Sequence, residues 1–139
     1  LRGIKISQDM EANPLESIRV GEAMHLTYGV EQHETLQKLH EYFIEGNYNT
    51  TCIIDKERNL VGVLSLQDVN KIPYNERTQS VMNYVHKPHE MAFPEETLSE
   101  ALYKMAKHNL DVLPVLSDRN SSRVVGQISR TEIIKRMHK

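Results

Sequence analysis

Two windows of this chain repeat one pattern of apolar and polar positions. Leu36, Leu39, Phe43 and Ile44 recur at helical spacing, as do Leu98, Ala101, Leu102, Met105 and Ala106, so each window predicts a helix with one buried face. A polar link follows each helix, Gly46-Asn47-Tyr48-Asn49 or His108-Asn109-Leu110-Asp111, and then an apolar strand over 52–55 or 113–116. Turn residues at 56–59 and 118–123 predict hairpins that return as strands 60–64 and 124–128. Short helices start near Leu66 and Arg130. With extended pieces at 29–32 and 90–93, each window reads β-α-β-β-α.

The second strands close on related motifs, Gly62-Val63-Leu64-Ser65-Leu66-Gln67-Asp68 and Gly126-Gln127-Ile128-Ser129-Arg130-Thr131-Glu132, which mark a tandem duplication. A glycine at a strand end lets backbone approach a ligand. The serine stands where the next helix begins, offering a hydroxyl beside free N–H groups and a positive dipole end that suit phosphate. An ionised carboxylate three residues on can accept from both hydroxyls of a ribose. Helix capping explains the same residues without a ligand: Ser129 with Glu132 spells a capping box, and Ser65 with Asp68 nearly does.

The repeated order, the two Gly-x-x-Ser-x-x-Asp/Glu motifs and Leu113-Pro114-Val115 together resemble the CBS domain, and two copies resemble a CBS pair, or Bateman module, from Val20 to the C-terminus. The resemblance implies an α/β (α+β) fold of two β-α-β-β-α units packed with pseudo-twofold symmetry, 20–75 and 76–139, behind a linker at 1–19. Pro14 to Met24 is similar to the linker by which ClC-type chloride channels and transporters enter their CBS pair. That likeness implies an upstream transmembrane chloride-channel domain, a cytoplasmic setting and a homodimer. The resemblance to a CBS pair implies two clefts for an adenine nucleotide, ATP, ADP or AMP, with no cofactor required. By alignment with ATP-binding tails of the ClC type, Thr27, Tyr28, Tyr48 and Asn49 would hold the base in the first cleft, with Ser129 and Arg130 near the phosphates and Glu132 on the ribose. The second cleft would use Ser65, Asp68, Leu110 and Asp111, with no aromatic at Leu110. Glu132 departs from the usual Asp, and Cys52 from the usual strand-entry proline.

Composition narrows the alternatives. At 139 residues, two halves of this size would be marginal alone and should share a core. A net charge of −2 without a basic stripe argues against a nucleic-acid partner. The start at Leu1 reads as a piece of something longer, with a membrane portion ahead. One cysteine excludes an internal disulfide; Cys52 in an apolar strand reads as a small buried hydrophobe. His86 and His89 read as solvated linker residues, and Met24, Met82, Met91, Met105 and Met137 as core filler. Neither paired acids nor a nucleophile with a base emerges, so the chain reads as a regulatory module and not an enzyme. A stand-alone pair, an insert in an enzyme such as an inosine-monophosphate dehydrogenase, and a ligand-free dimerisation scaffold remain open alternatives.

Overall fold

Each window folds on local signals that its own residues supply. The computed structural model describes residues 13–27 and 29–138. Its leading elements are α1 (Pro14–Ser17) and α2 (Val20–Ala23). The first half then runs β1 (Val30–Glu31), α3 (Leu36–Gly46), β2 (Thr50–Ile54), β3 (Leu60–Ser65) and α4 (Leu66–Asn70). Two 3-10 turns, Tyr74–Glu76 and Val81–Asn83, lead to the second half. That half holds α5 (Leu98–His108), β4 (Val112–Leu116), β5 (Val124–Ser129) and α6 (Arg130–Met137).

The long helices start and stop alike. Thr35 accepts from the Lys38 amide at 3.2 Å and Thr97 from the Glu100 amide at 3.1 Å, each satisfying a donor the helix leaves unpaired. Both helices end on an asparagine in the left-handed region, Asn47 at φ 55° and Asn109 at φ 54°. Gly46 is not the stop; a Cβ there would strike the Tyr48 ring. Ile44 and Ala106 are exposed, against expectation. Each lies about 100° round from the middle of the buried stripe, so neither joins it.

In the first half the strand order is β1-β2-β3, with β1 parallel and β3 antiparallel to β2. In the second half β4 and β5 pair antiparallel, and the expected strand at 90–93 shrinks to one residue. Ala92 donates to the Pro114 carbonyl at 2.9 Å and accepts from the Leu116 amide at 3.0 Å, taking the place β1 holds in the first half. The hairpins meet in reciprocal bonds: Leu60 donates to the Ser122 carbonyl at 2.7 Å and Val124 to the Arg58 carbonyl at 2.9 Å. These paired bonds express the pseudo-twofold relation directly.

The halves also exchange their leading segments. Val20 and Ala23 of α2 are buried with Leu98, Met105, Leu113 and Ile128 of the second half. Val81 is buried with Leu36, Phe43, Ile53 and Leu64 of the first. Just beyond, His25 lies across β5, donating to the Gln127 carbonyl at 2.7 Å and accepting its amide at 2.9 Å. His86 crosses β3 at Val63 in the same way, at 3.0 and 2.9 Å. This crossing accounts for the repeated glycines. A Cβ at Gly126 would stand 2.7 Å from the His25 carbonyl oxygen, and one at Gly62 2.6 Å from that of His86. The glycines thus admit protein backbone rather than a ligand, and the His86 backbone forms such a bridge while its side chain stays exposed, as expected of a linker residue. Met105 is buried as expected, but Met82 and Met137 are 41% and 45% exposed. No helix among the described residues is long and apolar enough to cross a membrane.

Candidate functional site

Two clefts open where the halves meet. The larger, of about 630 Å³, lies between the link after α3 and the start of α6. Tyr48, Asn49, Ser129, Arg130 and Glu132 all line it, so it gathers five of the residues expected for the first cleft. Thr27 lies off this wall, its hydroxyl accepting from the Gly29 amide at 3.2 Å. Tyr28 falls outside the described residues. His25, Asp111 and Lys135 also line the cleft, and sequence reading had placed none of them there. Lys135 follows Arg130 on one helix, and Asp111 is the duplication mate of Asn49; those were the available signals.

Tyr48 is held at the mouth by its neighbours. Its ring stacks on Tyr42 with centroids 5.1 Å apart and planes at 22°, and it lies over Gly46. The His25 ring stands 6.4 Å away, tilted 38°. One ring face is thus covered by protein, and the residue stays 40% exposed. A volume of this size falls within the range of small-molecule sites.

The helix starts differ between the halves, and only that of α6 departs from expectation. At α6, Ser129 accepts from the Glu132 amide at 3.0 Å, but the Glu132 carboxylate turns away to Arg136 Nε at 3.3 Å. At α4 the reciprocal capping box does form: Ser65 Oγ accepts from the Asp68 amide at 3.0 Å and Asp68 accepts from the Ser65 amide at 2.9 Å. The residue four positions on decides, being Arg136 after Glu132 but Ile72 after Asp68. At each terminus the first helical amide is also engaged. Arg130 donates its amide to the Asp111 carbonyl at 2.8 Å, and Leu66 donates to Asn49 at 2.9 Å.

Asp68 is therefore committed. His86 Nε2 lies 3.3 Å from its other oxygen. Burial works to raise the Asp68 carboxyl, but the bonds from Ser65 and the neighbouring imidazole outweigh it and hold the group below its ordinary value. The smaller cleft, of about 380 Å³, is lined by Ser65 and Asp111 with Asn49, Thr50, Gln67 and Asn70, while Asp68 is absent from its wall. Leu110 lines instead a narrow apolar cavity of about 70 Å³ between the halves, together with Cys52, Val63, Pro114 and Gln127.

Cys52 is 1% exposed, and burial pushes its thiol up to about 12, so the reading as a small hydrophobe holds. Its amide donates to Gln127 Oε1 at 3.0 Å. Pro114, in the matching place of the second half, has no N–H, and the residue matching Gln127 is Val63. The extra donor and its acceptor thus occur together.

A duplicated β-α-β-β-α unit with exchanged leading segments and clefts at the seam defines a tandem regulatory module. The chain belongs to the CBS domain family, which matches it at residues 20–74 and 81–139. CBS domains are regulatory, non-catalytic modules. The chain is 28% identical over 104 residues to an inosine-5'-monophosphate dehydrogenase of Aquifex aeolicus, a match covering 74% of this chain but only 20% of that enzyme. The fold is similar to the CBS domain of a membrane protein from Sphaerobacter thermophilus, with a TM-score of 0.72, 16% identity and 97% of each chain covered. It is also similar to the CBS domain of a bacterial CNNM/CorC family Mg2+ transporter, at TM-score 0.73, 17% identity, and 88% and 76% coverage of this chain and that one. A third likeness is to the CBS domain pair of protein MJ0100 in complex with 5'-methylthioadenosine and S-adenosyl-L-methionine, at TM-score 0.70, 21% identity, and 84% and 93% coverage.

Proposed function

We propose that this chain is a regulatory module that takes an adenosine-containing ligand in the larger cleft and passes its occupancy to the segment ahead of the first repeat. The convergence of Tyr48, Asn49, Ser129, Arg130 and Glu132 on one 630 Å³ cleft carries this reading. Tyr48 offers a base a stacking surface, and Glu132 offers a ribose two acceptor oxygens. The complex of protein MJ0100 with adenosyl compounds supports the ligand class.

Arg136 supplies the route to the linker. It binds Glu132 at 3.3 Å and donates to the Glu22 carbonyl at the end of α2 at 3.1 Å. A ribose that engages Glu132 competes with Arg136, and α2 loses a tether. A module works by such a difference between two arrangements. Titration calorimetry with ATP, ADP, AMP and S-adenosylmethionine tests the reading. Saturable heat that Tyr48→Ala and Glu132→Ala each weaken is expected; absence of heat from all four ligands contradicts it and leaves a dimerisation scaffold.

The larger protein is read as an enzyme-associated or stand-alone regulatory system, which the dehydrogenase relative supports. A chloride-channel parent rests on the likeness of the leading segment through Met24 and on the Tyr48 alignment, and none of the relatives named above is a chloride channel. An upstream reading frame with an array of apolar helices would favour it. A cytoplasmic setting follows from either parent. Self-association through the exposed Ile134 and Met137 of α6, 46% and 45% exposed, is a second reading that sedimentation analysis tests.

A further inference from the structure

The two clefts differ in charge, and helix length is one cause. Arg130 opens α6 and Lys135 lies further along it, both on the wall of the larger cleft. The matching residues of the first half are Leu66, which is apolar, and Lys71, which caps α4 and lies off the smaller cleft. α4 has 5 residues where α6 has 8, so it ends before a cation can line its cleft. Among the described residues, Asp111 is the only charged group on the wall of the smaller cleft.

Backbone donors do not distinguish the clefts. The amides of Arg130 and Glu132 go to Asp111 and Ser129, and those of Leu66 and Asp68 to Asn49 and Ser65, the same pattern in both halves. Discrimination between the clefts therefore falls to side chains. Asp111 stands on both clefts, its carboxylate 3.8 Å from the Arg130 guanidinium, which also donates to the Leu110 carbonyl at 3.1 Å. Lys135 makes no ion pair among the described residues.

We propose that Arg130 and Lys135 select a phosphorylated nucleoside for the larger cleft, and that Asp111 bars phosphate from the smaller, so that one chain takes one nucleotide. This rests on the reading of the larger cleft as an adenosine site. A phosphate there displaces Asp111 from Arg130 and gains Lys135. In the smaller cleft it meets a carboxylate with no cation in return, and one unit charge at such distances changes affinity roughly tenfold.

AMP and adenosine differ only in the phosphate, so the ratio of their affinities for the 139-residue chain isolates its recognition. Calorimetry should give one AMP site per chain, with AMP roughly tenfold tighter than adenosine. Lys135→Gln should lower that ratio roughly tenfold and Lys135→Glu by more, while Asp111→Asn should raise it and admit a second, weaker AMP. Two equal AMP sites, a ratio near one, or a ratio that Lys135→Glu leaves unmoved would overturn the proposal while the adenosine site stands. Failure of both AMP and adenosine to bind would overturn the adenosine site and this proposal with it.

Discussion

The two halves share a backbone plan but spend their polar groups differently. In the first half the closing acid, Asp68, is consumed by its own helix start and by His86. In the second, Glu132 is drawn out to Arg136, onto the wall of the larger cleft. The serine thus caps a helix in both copies, while the acid closes the box in one and faces a cavity in the other. What separates them is one methylene and the residue a helical turn later, not the motif itself.

The largest difference to break lies in the cores. Phe43 and Met105 occupy matching places, both fully buried. Truncating Phe43 to Ala should cost about 3–5 kcal/mol and Met105 about 2–5 kcal/mol, with Phe43 the larger, measured by denaturant unfolding. Equal losses would contradict the larger share of packing assigned to Phe43. Because α2 packs on the second half, Val20→Ala should speed amide exchange around Met105 and Leu113 before it affects Phe43. Prior loosening of the first half would contradict the segment exchange.

A second comparison sets Cys52 with Gln127 against Pro114 with Val63. Gln127→Val strands the Cys52 amide at a cost of about 1–3 kcal/mol. Cys52→Pro in that background should recover much of the loss, because it removes the donor. If the double variant is no better than Gln127→Val alone, the coupling is wrong.

The smallest effects belong to the helix starts. Ser65→Ala should cost about 1 kcal/mol and Ser129→Ala less, since only the first belongs to a reciprocal box. The Asp68 carboxyl is held below its unfolded value. Its contribution is therefore present at neutral pH, above the unfolded value near 4, and disappears as pH falls through the folded one. Asp68→Asn should flatten that acid limb of stability, and an unaltered limb would remove Asp68 from the account.

Much of this was legible in the sequence. Helical spacing fixed α3 and α5, and the paired Gly-x-x-Ser motifs fixed the duplication and one wall of the larger cleft, while Tyr48 and Asn49 came from the likeness to ATP-binding tails. The segment exchange was not legible, because Val20 and Val81 are ordinary apolar residues whose partners depend on which half they reach. Glycine carries no mark of what approaches it, so Gly62 and Gly126 suggested a ligand where the crossing backbone of His86 and His25 lies. The box at Ser129 failed because Arg136 competes for Glu132, a contest that local spelling cannot decide. Asp111 was assigned to one cleft because its position on the seam, shared with Asn49, emerges only after the halves pack.

The most direct test follows backbone amide shifts as AMP is added to the chain. One saturable set of shifts centred on Asn49, Ser129, Arg130 and Glu132, with Ser65 to Asn70 little moved, is the expected result. Shifts of equal size and midpoint at both helix starts, or shifts confined to Ser65 to Asn70, would contradict it.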